Sequence, residues 1–291
     1  MISIVICSSQ PERLIKVKQN IDLTIGIDYE IIAIQNQIHN YGICKAYNIG
    51  AAKAKYDYLC FIHEDIKFTT LNWGNKLIHY FIEQKLDVVG IAGSTVKTKT
   101  PSPWWICNDD KSTKHVNIIQ HVKNGTEQHH EFSNPLKENF SLVNSIDGVF
   151  IGCTKKIWTA HPFDEISFRN FHFYDLDFSF AIAMQNKVAV VYDILLEHFS
   201  RGHYEKTWTK DAIVFSQKWK QQLPCFPNSF NSATKKKYEF EAYIFFMNQL
   251  VNYPSLTFHF FNYLLSSWHY PQNIIFIKKW LKNILLCWKK K

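Results

Sequence analysis

The sequence predicts an α/β fold with a mixed, mainly parallel central sheet flanked by helices. Two observations carry this expectation. Short apolar runs alternate with longer segments of helical spacing, the pattern of βαβ units. One run, Tyr58-Leu59-Cys60-Phe61-Ile62, stops abruptly at His63-Glu64-Asp65, two adjacent carboxylates beside an imidazole. In open α/β sheets, ligands gather outside the carboxyl ends of strands. With 291 residues, 46% hydrophobic and 20% charged, the chain has the composition of a folded protein with a full core. One catalytic domain over 1–234 with an appendage over 235–291 is expected.

In order along the chain, the expected strands are Ile2 to Cys7, Glu30 to Gln35, Tyr58 to Ile62, Val88 to Ala92, Val149 to Gly152 and Val188 to Tyr192. Between the second and third, Ile43, Ala46, Tyr47, Gly50 and Ala54 form one helical face, whose small residues allow close approach to a sheet. After the acidic turn, Trp73, Leu77, Tyr80 and Phe81 repeat at helix spacing, with Asn72 as the expected N-cap. From Val96 to Asn144 the rhythm breaks. This stretch is polar, holds Pro101, Pro103, Trp104 and Trp105, and reads as a long excursion over the active face or as a mobile insertion.

From Tyr238 onward lie 15 of the chain's 46 aromatic residues. Ile274, Ile277, Trp280, Leu281, Ile284, Leu285 and Trp288 share a helical face, with Lys278, Lys279 and Lys282 away from its centre. Such a helix fits a membrane surface or a partner, or else it docks on the core. The formal charge of +8 has a local origin: residues 235–291 carry +7, leaving +1 for the rest. A near-neutral body argues against nucleic-acid binding, which needs many cationic phosphate contacts on one face. Seven cysteines without a C-x-x-C pair read as reduced, mostly buried thiols. The first residues read as a core strand rather than a signal segment, and no apolar stretch reaches the ~20 residues of a spanning helix. A cytoplasmic protein is expected.

Several side chains have the chemistry of a site. Asp65, with His63 and Glu64, is a candidate metal clamp, the alternative being a solvated acidic turn. Asp175 and Asp177 open a helical segment, where carboxylates also serve as caps. At the same sheet edge as Asp65, one of them is placed to act as a general base. His198 is a possible third ligand beside carboxylate and phosphate oxygens, or a structural histidine. Arg201 and His203 suit phosphate charge. Asp147-Gly148 marks a strand start, otherwise a turn or bulge.

The order of these pieces is more specific than any one of them. Ala46-Tyr47-Asn48-Ile49-Gly50-Ala51, Phe61-Ile62-His63-Glu64-Asp65, Ile146-Asp147-Gly148-Val149-Phe150 and Phe171-His172-Phe173-Tyr174-Asp175-Leu176-Asp177 follow one another as in family-2-like glycosyltransferases of the GT-A fold. The chain resembles them over roughly residues 1–219, most closely the bacterial branch whose metal motif reads His-x-Asp.

The resemblance implies an inverting transfer of a sugar from a nucleotide-diphosphate donor to a glycan or lipid-linked acceptor, as in polysaccharide biosynthesis. It implies a Mn2+ or Mg2+ ion at Asp65, His63 and His198, with Asp175 as the base. Donor contacts would come from Ser8, Asn36, Glu64 and Arg201, and acceptor or sugar contacts from Asp147, Trp104, Trp105 and Asp177. The family's first motif acid is His63 here, its Glu-Asp is Tyr174-Asp175, and its nucleoside-binding acid is replaced by Gln35-Asn36. Two other readings stand beside it. A sugar nucleotidyltransferase would need a glycine-rich loop after the first strand, where Ser8-Ser9-Gln10-Pro11 stands. A catalytically silent binding module of the same fold would use the tail helix as its interface. A cytoplasmic enzyme peripheral to the plasma membrane is the expected setting.

Overall fold

The structure is a computed structural model that describes residues 1–107, 109–121, 127–200, 202 and 204–288. Its first half is the expected alternation: β1 (Ile2–Ser8), α1 (Pro11–Thr24), β2 (Tyr29–Gln35), α2 (Asn36–His39), α3 (Ile43–Lys53), β3 (Tyr58–Ile62), β4 (Ile66–Phe68) and α4 (Trp73–Ile82). β1 is buried on both faces because helices cover both. Ile2, Ile4 and Ile6 pack with residues of α1 and α4, while Val5 packs under α3. The small-residue face of α3 performs as expected, since a Cβ on Gly50 would lie 2.3 Å from Val5 Cγ1. Only glycine lets this helix sit so close.

The second half brings β5 (Val88–Gly90), β6 (Ala92–Ser94), β7 (Lys114–His121), β8 (Gln128–Ser133), β9 (Phe140–Leu142), β10 (Ser145–Ile146), β11 (Phe150–Thr154), α5 (Lys155–Ala160), α6 (Tyr174–Ala183), β12 (Val188–Val191), β13 (Leu196–His198) and α7 (Lys206–Lys218). Seven strands form one sheet in the order β2-β1-β3-β11-β5-β12-β9. β1 pairs in parallel with β2 and β3, and β5 with β12, whereas β11 runs antiparallel between β3 and β5. A second sheet runs β10-β6-β7-β13-β4, with β8 added on β7.

Three expectations need correction. Val88 to Ala92 is two strands, because the chain changes sheets at Ile91, whose carbonyl accepts from Asn117 N at 2.9 Å. The stretch from Val96 to Asn144, expected as an excursion over the active face or a mobile insertion, has regular structure of its own. It supplies β7, β8 and β9, and Val116 and Ile118 of β7 are buried on the first sheet's flank. Asn72 does not cap α4. It adopts a left-handed conformation, φ 55°, and its side chain makes no capping bond.

The chain ends in α8 (Ser232–Leu250), α9 (Thr257–Ser266) and α10 (Asn273–Trp288). Tyr243, Phe246, Met247 and Leu250 of α8 enter the same core as Phe173, Trp208 and Phe215. The docked face of α10 is rotated from the expected one. Phe276 and Trp280 are buried, but Ile274, Leu281 and Leu285 are exposed. Cys7, Cys44, Cys60, Cys107, Cys153 and Cys225 are free thiols.

Candidate active site

β3 ends in the middle of the sheet, so the residues after Ile62 enter a cleft at its carboxyl edge. Their alternation divides the work. Glu64 turns back, accepting from Ser8 Oγ at 2.7 Å, Ser9 Oγ at 2.9 Å and Gln10 N at 3.1 Å. It ties down the turn between β1 and α1 that lacks glycine. His63 and Asp65 face the cleft, where His198 arrives from β13.

His63, Asp65 and His198 bring their ligand atoms within 4.8 Å of one another. His198 Nε2 is 3.6 Å and His63 Nδ1 4.0 Å from Asp65 Oδ1. The hydrogen bonds identify the tautomers. Tyr174 Oη donates its single proton to Gly148 O at 3.1 Å, so it accepts from His63 Nε2–H at 2.8 Å. That leaves a lone pair on Nδ1. Gln120 donates its amide to His198 O (3.1 Å) and Ser200 O, which turns its Oε1 toward His198 Nδ1–H at 3.1 Å. His198 Nε2 is then a buried lone pair without a partner. Burial lowers both imidazole pKa values, most for each, although the Asp65 charge opposes it.

Two neutral imidazole lone pairs converging on a carboxylate suit a divalent cation and repel one another without it. The residues present therefore fit the implied metal. Arg13 of α1 adds a guanidinium, its Nη1 3.2 Å from Asp65 Oδ2.

The same cleft holds a half-buried carboxylate pair. Asp175, in the first turn of α6, accepts from Gly148 N at 2.8 Å, and Asp147 accepts from Val149 N at 3.0 Å. Burial, then the neighbouring Asp147 charge, pushes Asp175 up to about 7, and burial raises Asp147 as well. Gly148 is required here, because a Cβ would stand 2.0 Å from Tyr174 Oη. Phe173, just before α6, holds a left-handed φ of 63°, a strained geometry for a residue of its bulk. Buried Lys97 donates to Ser102 O, Ser102 Oγ and Pro103 O at 2.5, 3.1 and 2.9 Å. It pins the loop that delivers Trp104, and burial lowers its pKa to about 7.

These groups share one cleft of about 700 Å3. Asp65, His63, His198, Asp175, Asp147, Glu64, Asn36 and Trp104 all line it. Asn36 spends its side chain on Tyr41, donating to Tyr41 O at 2.9 Å and accepting from Tyr41 N at 2.7 Å. Three expected contacts are not brought into the cleft. Asp177 accepts from Lys218 Nζ and Trp219 Nε1, both at 2.8 Å, locking α6 to α7. Trp105 stacks under Lys114 Nζ at 3.8 Å from the ring centre, and Ser8 is engaged by Glu64. Arg201 and His203 lie outside the described residues.

The sequence reading missed Arg13, Lys97 and Gln120. Pro11 at a helix start was the available signal for Arg13. Nothing local marked the other two, whose roles arise from sheet pairing and burial.

Residues 1–226 match a family described as a glycosyltransferase-like family. Among solved structures the chain is similar to a crystal structure of GalNAc-T7 with UDP, GalNAc and Mn2+, with a TM-score of 0.51 and 12% identity over 88% of this chain. The match spans 57% of that protein, little more than half its length. A crystal structure of A197 from STIV gives a TM-score of 0.39 and 16% identity, over 69% of this chain and 86% of that one. No curated protein matches the sequence.

Proposed function

The chain belongs to the glycosyltransferase-like family, with a GT-A fold, and from that premise we propose that it transfers a sugar, with inversion, from a nucleotide-diphosphate donor to an acceptor hydroxyl. The observation that carries this reading is the gathering of the His63, Asp65 and His198 lone pairs and the half-buried Asp147 and Asp175 carboxylates in one cleft. The volume suits a nucleotide sugar.

His63, Asp65 and His198 would hold the cation. Two imidazoles favour a transition-metal ion such as Mn2+ over Mg2+. When bound, the ion supplies Lewis-acid stabilisation of the negative charge that develops on the departing diphosphate. Arg13 adds a second positive charge beside Asp65 and orients the diphosphate. Asp175 takes the proton of the acceptor hydroxyl as that oxygen attacks the anomeric carbon from the opposite side, so a single displacement follows and no covalent nucleophile is needed. Its raised pKa suits a base that works near neutral pH. Trp104 gives a flat apolar wall for a sugar ring and keeps water from the reacting centre. A glycan or lipid-linked oligosaccharide is the proposed acceptor class, in polysaccharide assembly at the cytoplasmic face.

Calorimetric titration of nucleoside diphosphates with and without Mn2+, followed by turnover of a sugar-nucleotide panel, tests the reading. Metal-dependent binding of at least one nucleotide, lost in Asp65→Ala, is expected. Asp175→Asn should retain that binding and abolish transfer. No metal-dependent binding of any nucleotide would overturn the donor assignment, and retained binding without turnover of any sugar nucleotide would favour the silent module.

A further inference from the structure

No helix among the described residues is long and apolar enough to cross a membrane. The last two helices nevertheless leave a broad apolar surface uncovered. On α9 and just beyond it, Phe258, Leu265 and Trp268 are 73%, 65% and 65% exposed. On α10, Ile274, Leu281 and Leu285 are 62%, 49% and 60% exposed. The two helices adjoin, because Phe260 stacks on Trp280 with ring centres 5.2 Å apart and Phe261 meets the same ring at 5.0 Å. Their inner faces are satisfied by the core, so the outer residues add nothing to folding. Large apolar side chains left exposed on two adjoining helices mark an interaction site.

Charge selects the partner. No Asp or Glu follows Glu241, while six lysines do. Lys278 and Lys282 emerge on the outer side of α10 between the exposed Ile274, Leu281 and Leu285 and the exposed Ile275 and Leu286. A purely apolar protein groove would bury these ammonium groups unpaired. A second copy in a two-fold contact would oppose lysine with lysine. An anionic bilayer offers phosphates to the ammonium groups and an acyl boundary to the leucines and aromatics, with the lysine stems lying along the apolar surface.

We propose that the outer face of α9 and α10 is a docking surface for an anionic lipid bilayer, on which the protein lies without spanning it. The bundle is joined directly to the cleft. Tyr204 and Trp208, both lining it, pack on Phe245 of α8 with ring centres 5.0 and 5.7 Å away, and Tyr253 Oη donates to Tyr204 O at 3.1 Å. The bundle proposed to sit on lipid is thus the same one that supports that wall of the cleft. If the transferase reading holds, this favours an acceptor carried on lipid, but the docking surface itself does not depend on that reading.

Co-sedimentation of the full chain with vesicles of phosphatidylcholine alone, and with vesicles one third phosphatidylglycerol, tests the proposal. Binding to the anionic vesicles at least tenfold tighter than to the neutral ones, and weakened by salt, is expected. Lys278→Gln/Lys279→Gln/Lys282→Gln should lose at least tenfold in affinity, as should Leu281→Asp/Leu285→Asp. All of these side chains are exposed, and unchanged circular dichroism and melting temperature will show that the variants fold. Wild-type protein left in the supernatant with anionic vesicles overturns the proposal, as does binding that neither set of substitutions alters. So does a concentration-dependent dimer that Leu281→Asp/Leu285→Asp dissociates without any vesicle binding, which would assign the face to self-association. Nucleotide titration of the same samples reads the transferase assignment separately, so either can fail alone.

Discussion

His63 and His198 each reach the cleft with one nitrogen committed to a protein partner and the other free, and this asymmetry is what suits them to the proposed metal site. Tyr174 enforces it for His63 and Gln120 for His198. Gln120→Leu keeps the side-chain volume but releases the His198 ring, so calorimetry should show Mn2+ binding weakened by about 10- to 100-fold. Asp175 is under the opposite constraint, being costly to ionise where it stands. Its pKa is raised from 3.8 to about 7 by burial and then by Asp147. Transfer should therefore rise with pH through about 7 as the base deprotonates, and Asp147→Asn should move that rise to lower pH in a pH–rate profile. The same shift has a stability consequence. A carboxyl whose folded pKa is raised contributes stability below its unfolded pKa, and that contribution is lost as pH climbs through the folded value. Asp175→Asn, which cannot ionise, should thus melt several degrees higher than wild type at pH 8 in calorimetry, while losing transfer. Asp65, His63, His198 and Asp175 were legible in the sequence because they end strands or open helices, where local pattern and chemistry coincide. Gln120 was not, since its importance depends on which strand β7 meets.

At the scale of elements, β3, α3 and α6 are where their spacing puts them, because each has one periodicity and a matching core face. The stretch from Val96 to Asn144 defeated that logic. β8 is largely exposed and built from Gln128, His129 and His130, so no apolar alternation announces it, and its strand state comes from pairing with β7. Asp177 shows a related failure. Two residues after Asp175, it looks like a partner in the chemistry, yet about half a turn of helix takes it to the other side, where Lys218 and Trp219 hold it. Its expected variant behaviour differs accordingly. Asp177→Ala leaves the half-buried Trp219 indole N–H without its partner while Lys218 keeps Asp164, so urea unfolding should show a loss of about 1–2 kcal/mol, with nucleotide affinity nearly unchanged. Loss of nucleotide binding without loss of stability would return Asp177 to the cleft.

For the whole molecule, the question is whether residues 235–291 form an appendage that the rest can do without. Composition suggests a separable unit, since the charge and the aromatic content both change there. Packing argues otherwise. Tyr243, Phe246, Met247 and Leu250 are almost completely buried in the core that also holds Phe173, Trp208 and Phe215, and Phe173 is the strained residue that leads into Asp175. Strain of that kind persists only where its surroundings hold it in place. Removing 235–291 would expose those aromatics and release the contact of Phe245 with Tyr204 and Trp208 at the cleft wall. The full chain should therefore melt in one cooperative transition followed by calorimetry. The 1–234 fragment should bind a hydrophobic dye, lose near-ultraviolet circular dichroism and show no metal-dependent nucleotide binding. A fragment that melts cooperatively and binds nucleotide as the full chain does would make the helical tail a true appendage, used for attachment alone.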